Sequence, residues 1–190
     1  QDQLKRTIAV ENVSVNTTGA DLPFAEPEFL TQLVRRTGCT LLIDLNSVYV
    51  NALNAFRLDI RRRLNSLDAQ DQAFPLTALD RCRQWIDGIP AEAVAELHVA
   101  GHDDCGNVVI NNRSRAITDP VWSLYSYTVR RWGPRPTLIE WDTAIPALDV
   151  LLDCPHRPRD LATLLVRESL SRRARRMHSA TRSLGLARVA

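Results

Sequence analysis

Apolar and polar positions along this chain follow two alternating rhythms. Short, almost unbroken apolar runs stand at Thr7 to Val13, Thr40 to Leu45, Val94 to Ala100 and Thr137 to Trp141. Between them, apolar residues recur at spacings of three and four. The runs predict strands and the spaced segments predict helices. Glu26 to Thr37 predicts a helix with Phe29, Leu30 and Leu33 on one face and Gly38 as its stop. Leu76 to Asp87 predicts a second helix, ended by Gly88, Ile89 and Pro90. Pro120 to Arg131 predicts a third, with Asp119 as its cap and Pro120 in the first turn. Pro146 to Leu152 predicts a fourth, and Asn107 to Asn111 a further short strand. Strands alternating with helices imply βα units around a parallel sheet, and continuous apolar strands imply burial on both faces.

Length and composition narrow this picture without redirecting it. A chain of 190 residues, 45% hydrophobic and 24% charged, can bury one substantial core. It has no apolar run long enough to span a bilayer and no apolar signal core behind Gln1 to Arg6. A cytoplasmic, membrane-free protein is the expectation, and the missing initiating Met implies processing, trimming or a longer parent. Cys39, Cys82, Cys105 and Cys154 are widely spaced without a CxxC pair, which argues for four unconnected thiols.

Charge divides the chain in two. Residues 1–156 carry fifteen basic and twenty acidic side chains, a net of −5, whereas 157–190 carry nine Arg against Asp160 and Glu168. We therefore expect a main body over 1–156 and a basic helix or tail over 157–190. The stretch containing Arg172, Arg173, Arg175 and Arg176 could touch acidic surfaces. It interleaves no aromatic residues to stack on bases, so nucleic acid is not the expected partner.

The candidate chemistry lies at the strand ends. Glu11 with Asn12, Asp44 with Asn46, His98 through His102, and Glu140 with Asp142 each close an apolar run. In a parallel barrel these ends converge on one rim, where such folds place their active sites. Carboxylate and imidazole together, without thiolate, suit iron, manganese or zinc.

Five ordered segments carry a family resemblance. They are Val10 to Ser14 (VENVS), Thr37 to Asn51 with its LLIDLN and VYVN strings, Val94 to His102 (VAELHVAGH), Asp119 to Tyr125 (DPVWSLY) and Pro136 to Asp142 (PTLIEWD). Together they resemble the multinuclear non-heme iron-dependent oxidative enzymes, the formerly uncharacterised group that includes the methanobactin-forming oxygenase. The resemblance implies a TIM-like (β/α) barrel of which this chain is the C-terminal portion, without the early strands. It implies two or three iron ions, dioxygen chemistry on a ribosomally made precursor peptide, often at cysteine, and a partner protein that delivers the peptide. Glu11, Asp44, His98 and Glu140 become the expected iron ligands, with Asn46, His102 and Asp142 as further ligands or supports.

Departures from the family pattern lower that expectation to one iron or none. Two His ligands would come from strands upstream of Thr7. Where the family has an Asp-x-His pair, this chain has Asn111 and Arg113, and a guanidinium cannot ligate a cation. Arg113 instead brings a fixed positive charge, as a metal mimic or an anion binder. Ala55 and Ser47 replace further polar family residues, and Arg57 to Phe74 reads as an insertion over a loop. Three functions follow: an iron-dependent oxidative peptide-modifying enzyme, a catalytically degenerate relative that binds or scaffolds, or a divalent-metal isomerase or hydrolase on the same rim.

Overall fold

The computed structural model describes residues 1–14, 25–65, 75–154, 156–168 and 170–171. Four strands form one parallel sheet in the order β1 (Ala9–Glu11), β2 (Thr40–Asp44), β3 (Val94–Ala100) and β6 (Thr137–Glu140). A separate antiparallel pair, β4 (Asp103–Asp104) and β5 (Val109–Ile110), forms a small hairpin beyond the end of β3. The short strand expected around Asn107 to Asn111 therefore lies in this hairpin and outside the parallel sheet.

The helices are α1 (Glu26–Thr37), α2 (Leu45–Leu64), α3 (Ala78–Asp87), α4 (Asp119–Trp132) and α5 (Leu148–Asp153), followed by helical residues 156–168. Gly38 ends α1 with φ of 68°, a left-handed conformation that glycine adopts without a Cβ penalty. The face of α1 differs from the expected one. Leu30 is buried and Val34 packs against the core, while Phe29 is exposed. Thr118, one residue before Asp119, occupies the cap position of α4, and Asp119 falls in its first turn. Arg57 to Leu64, expected in a loop insertion, continues α2 and Asn65 caps its end; residues 66–74 of that insertion and Arg172 to Arg176 lie outside the described residues.

Core and site occupy opposite faces of the sheet. Leu41 and Ile43 of β2 and Leu97 and Val99 of β3 are buried in one cluster with Val48 of α2, Ile86 of α3 and Leu124 of α4. Leu165, from residues 156–168, joins the same cluster. Side chains alternate between faces along a strand, so the residues between those core positions point to the opposite face. Only the central strands carry deep burial. The edge strands β1 and β6 are half-buried or exposed, contrary to the expectation of strands covered on both faces. Among the described residues, no helix is long and apolar enough to cross a membrane.

Candidate metal centre

Strand register brings the predicted residues onto one face. Glu11 pairs with Leu42, Asp44 with His98, His98 with Leu138, and Ala100 with Glu140. Partners across a parallel ladder share a face. Glu11, Asp44, His98 and Glu140 consequently stand together near the C-terminal ends of four neighbouring strands, on the face opposite the core.

Three of them converge. Ligand atoms of Glu11, His98 and Glu140 lie within 4.8 Å of one another. Nδ1 of His98 is 3.3 Å from Oε2 of Glu140, and Nε2 is 3.6 Å from Oε1 of Glu96. Both imidazole nitrogens thus face carboxylates. Burial raises the affinity of Glu140 for a proton. The positive charge of Arg113 opposes this shift, and the negative charge of Asp142 reinforces it.

Asp44 is placed differently. Its side chain is fully buried, and its Oδ1 accepts from the backbone N–H groups of Asn46 (2.8 Å) and Ser47 (3.1 Å), capping α2. Its Oδ2 accepts from Ser47 Oγ at 2.8 Å and from Arg113 Nη2 at 2.8 Å. Asn12, at the end of β1, clasps the same residue through the backbone. It donates to the Asp44 carbonyl at 3.1 Å and accepts from the Asp44 N–H at 2.8 Å. Asp44 is thus a structural hub with both oxygens engaged.

Arg113 sits at the centre of the carboxylates. Nη1 donates to Glu140 Oε1 (2.8 Å) and Asp142 Oδ2 (3.2 Å); Nη2 donates to Asp44 Oδ2 (2.8 Å) and Glu11 Oε1 (3.2 Å). Burial alone would make this guanidinium easier to deprotonate. The hydrogen bond and charge of Asp44, with the charge of Glu140, outweigh burial and hold it firmly protonated. Its backbone is left-handed, with φ of 51°, unusual for a residue with a side chain. The loop is pinned in that shape: Asp142 N–H donates to the Arg113 carbonyl at 3.0 Å, and Thr143 Oγ1 to the Asn112 carbonyl at 3.0 Å.

The remaining predicted residues form a supporting layer. Asn46 Nδ2 donates to the Gly101 carbonyl at 3.0 Å and to Asn111 Oδ1, so its own Oδ1 is left to accept. His102 Nδ1 lies 2.8 Å from that oxygen and must therefore carry the proton. Burial makes His102 harder to protonate, partly offset by Asp104 and Asp103. Its ring packs 5.5 Å from Tyr49, away from the converging triad. Asn111 Nδ2 donates to Ser47 Oγ at 2.8 Å, locking the Arg113 loop to the start of α2. Gly101 has no alternative, because a Cβ there would meet the Arg115 carbonyl oxygen at 1.9 Å.

Sequence reasoning left Asn12 and Ser47 without a role and did not single out Glu96. Their common signal is a position within three residues of a predicted ligand: Asn12 beside Glu11, Ser47 after Asp44 and Glu96 before His98. A cleft of about 630 Å³ lies between β6 and residues 156–168, lined in part by Tyr125, Ile139, Trp141 and Pro158; Ile139 packs against the core, on the face away from Glu140.

A family model described as "RiPP precursor modification enzyme MbnB/TglH/ChrH" matches residues 1–73 and 77–162. The chain belongs to this family. Among its relatives, a UPF0276 protein of Caulobacter sp. (strain K31) is 41% identical over 157 residues, covering 80% of this chain and 48% of that protein. A UPF0276 protein of Chromobacterium violaceum is 39% identical over 151 residues, covering 80% and 46%. One from Rhizorhabdus wittichii is 36% identical over 169 residues, covering 89% and 52%. The chain spans about half the length of these family members.

Proposed function

We propose that this chain provides one face of an iron site in an enzyme that oxidatively modifies a ribosomally made precursor peptide, with Glu11, His98 and Glu140 as ligands. The four parallel strands belong, in this reading, to a TIM-like barrel whose C-terminal rim carries the site. The observation that carries the reading is the charge around Arg113. Four carboxylates, Glu11, Asp44, Glu140 and Asp142, share one guanidinium, leaving a formal net of −3. Two like charges about 4 Å apart near a protein surface repel by roughly 4 kcal/mol. The cluster therefore calls for a further cation, and the His98 side is where ligand atoms converge without being fully engaged.

Two carboxylates and one imidazole fit a divalent ion of the iron and manganese kind. Iron bound there would supply the redox chemistry with dioxygen that no side chain of this chain provides. The chain's own residues have other tasks. Arg113 holds Glu11 and Glu140 turned toward His98 despite their mutual repulsion. Asp44 and Asn111 fix Arg113 and its loop. Glu96 lies 3.6 Å from the second nitrogen of His98 and adds negative charge beside it.

The test is anaerobic loading with Fe(II), followed by metal analysis and oxygen uptake with cysteine-containing peptides. Retention of one equivalent by the unaltered protein, with at least a tenfold weaker affinity in His98→Ala and Glu140→Ala, is the expected result. A folded protein that retains no iron would defeat the proposal. That outcome would favour the second reading, a relative that binds peptide without oxidising it, for which the guanidinium among the carboxylates is the specific observation.

A further inference from the structure

The position of Arg113 raises a question that the iron site alone does not answer. Its guanidinium draws together carboxylates from four separate places in the chain: the end of β1, the end of β2, the end of β6 and the segment just after it. Each terminal nitrogen bridges two carboxylates at 2.8 and 3.2 Å, and Asp44 among them is fully buried. Multi-carboxylate convergence on one point is what a divalent cation ordinarily organises. Here an organic cation does so, from a loop held in a left-handed conformation and tied to residues 142 and 143. Nε of the same guanidinium is buried and finds no partner among the described residues. The fork is therefore seated for its two terminal nitrogens at the expense of the third donor. No metal ion fits between Asp44 and Asp142 while the guanidinium occupies that space.

We propose that Arg113 is a built-in cation that takes the place of a metal ion among Glu11, Asp44, Glu140 and Asp142, limiting the cluster to a single ion on its His98 side. The proposal rests on the site assigned above only for its location, because it concerns a difference between variants rather than the occupancy of the unaltered protein. Removing the guanidinium leaves Asp44 buried beside three carboxylates with no cation, a state that either protonates, unfolds or recruits a metal. A lysine at the same position keeps the charge and excludes the metal, though it loses the fork.

Equilibrium dialysis against Mn(II) with metal counting, paired with thermal melting in EDTA and in Mn(II), tests this on the full chain. Arg113→Ala is expected to bind one equivalent more than the unaltered chain, and to melt lower in EDTA with recovery in Mn(II). Arg113→Lys should keep the unaltered count, and Asp44→Asn in the Arg113→Ala background should abolish the extra equivalent. Equal counts in Arg113→Ala and the unaltered chain, without a Mn(II)-specific rise in melting temperature, would overturn the proposal. So would failure of both Arg113→Ala and Arg113→Gln to fold even with Mn(II), since a metal could then not replace the guanidinium. If the unaltered chain binds no metal while Arg113→Ala binds one ion, the iron reading falls and this inference stands.

Discussion

At the residue scale, one carboxylate does most to hold the site together. Asp44 caps α2, anchors Ser47 and pairs with Arg113, all from a fully buried position. Replacing it with Asn removes the charge and leaves the shape, so the loss is electrostatic. Arg113 keeps three other carboxylates, so the cost is that of a buried acceptor turned into an amide donor facing Arg113 and Ser47, about 1–3 kcal/mol, and denaturant unfolding of Asp44→Asn should show a loss of that size. Asp142 meets the same guanidinium from an exposed position, and solvent screening limits Asp142→Asn to less than about 1 kcal/mol. Gly101→Ala is a third case. The added methyl would meet the Arg115 carbonyl oxygen, and the displaced 115–116 segment should lower the melting temperature and loosen Arg113 as well. The convergence of Glu11, His98 and Glu140 was anticipated because each stands at or near the end of an apolar run, and Arg113 drew notice because its charge broke the family pattern. The role of Asn12 was not legible, since it depends on how closely the ends of β1 and β2 approach, a non-local distance; that of Ser47 was hidden because nothing in the sequence marked Asp44 as the cap of a helix.

At the element scale, the main surprise is α2. Its first six residues, Leu45 to Val50, are buried on all sides, including Asn46 and Ser47, so no apolar stripe marks the helix in the sequence. Its later polar residues are structural: Asn54 exchanges hydrogen bonds with the Val109 backbone at 2.8 and 2.9 Å. Arg57 grips Asp104 through both terminal nitrogens at 2.8 and 2.7 Å, binding the β4–β5 hairpin to the helix. That grip, with the Gly106 N–H, holds the Asp104 carboxyl at about 2 against an ordinary 3.8. A depressed pKa contributes stability above the ordinary value that is lost as pH falls through the depressed one. Hairpin docking should therefore persist at pH 5 and weaken between pH 3.8 and 2, seen as faster amide exchange at Gly106 and Val109. Asp103 of the same hairpin is also held at about 2, by Arg115, Asn112 and Ser114, so Arg57→Ala should reduce this pH dependence and Arg57→Ala with Asp103→Asn should remove it; an acid response unchanged in the double variant would refute the link. The helices α1, α3 and α4 and the four parallel strands were readable because their apolar spacing and their Gly and Pro stops are local signals.

At the scale of the whole molecule, the sheet of the described residues has two open edges. Among the described residues β1 pairs only with β2 and β6 only with β3, leaving backbone donors and acceptors unpaired along both. Leu138 of β6 is 45% exposed, and Ile145 and Leu148 beyond it are more so. Unpaired edges with apolar flanks recruit further strands. Residues 1–190 produced alone should therefore associate in a concentration-dependent way by sedimentation; a single monomeric species at high concentration would show that the edges are closed by other means. The sequence pattern identified a parallel βα architecture but not where the sheet ends, because apolar runs in edge and central strands look alike until their neighbours are known. Anomalous diffraction from crystals soaked in Mn(II) tests most directly the proposal that Glu11, His98 and Glu140 share one metal ion beside a guanidinium that stands in for another. One peak bounded by those three side chains, with Arg113 still bonded to Asp44, is the predicted result. A peak between Asp44 and Asp142 with Arg113 displaced, or no peak at saturating Mn(II), would contradict it.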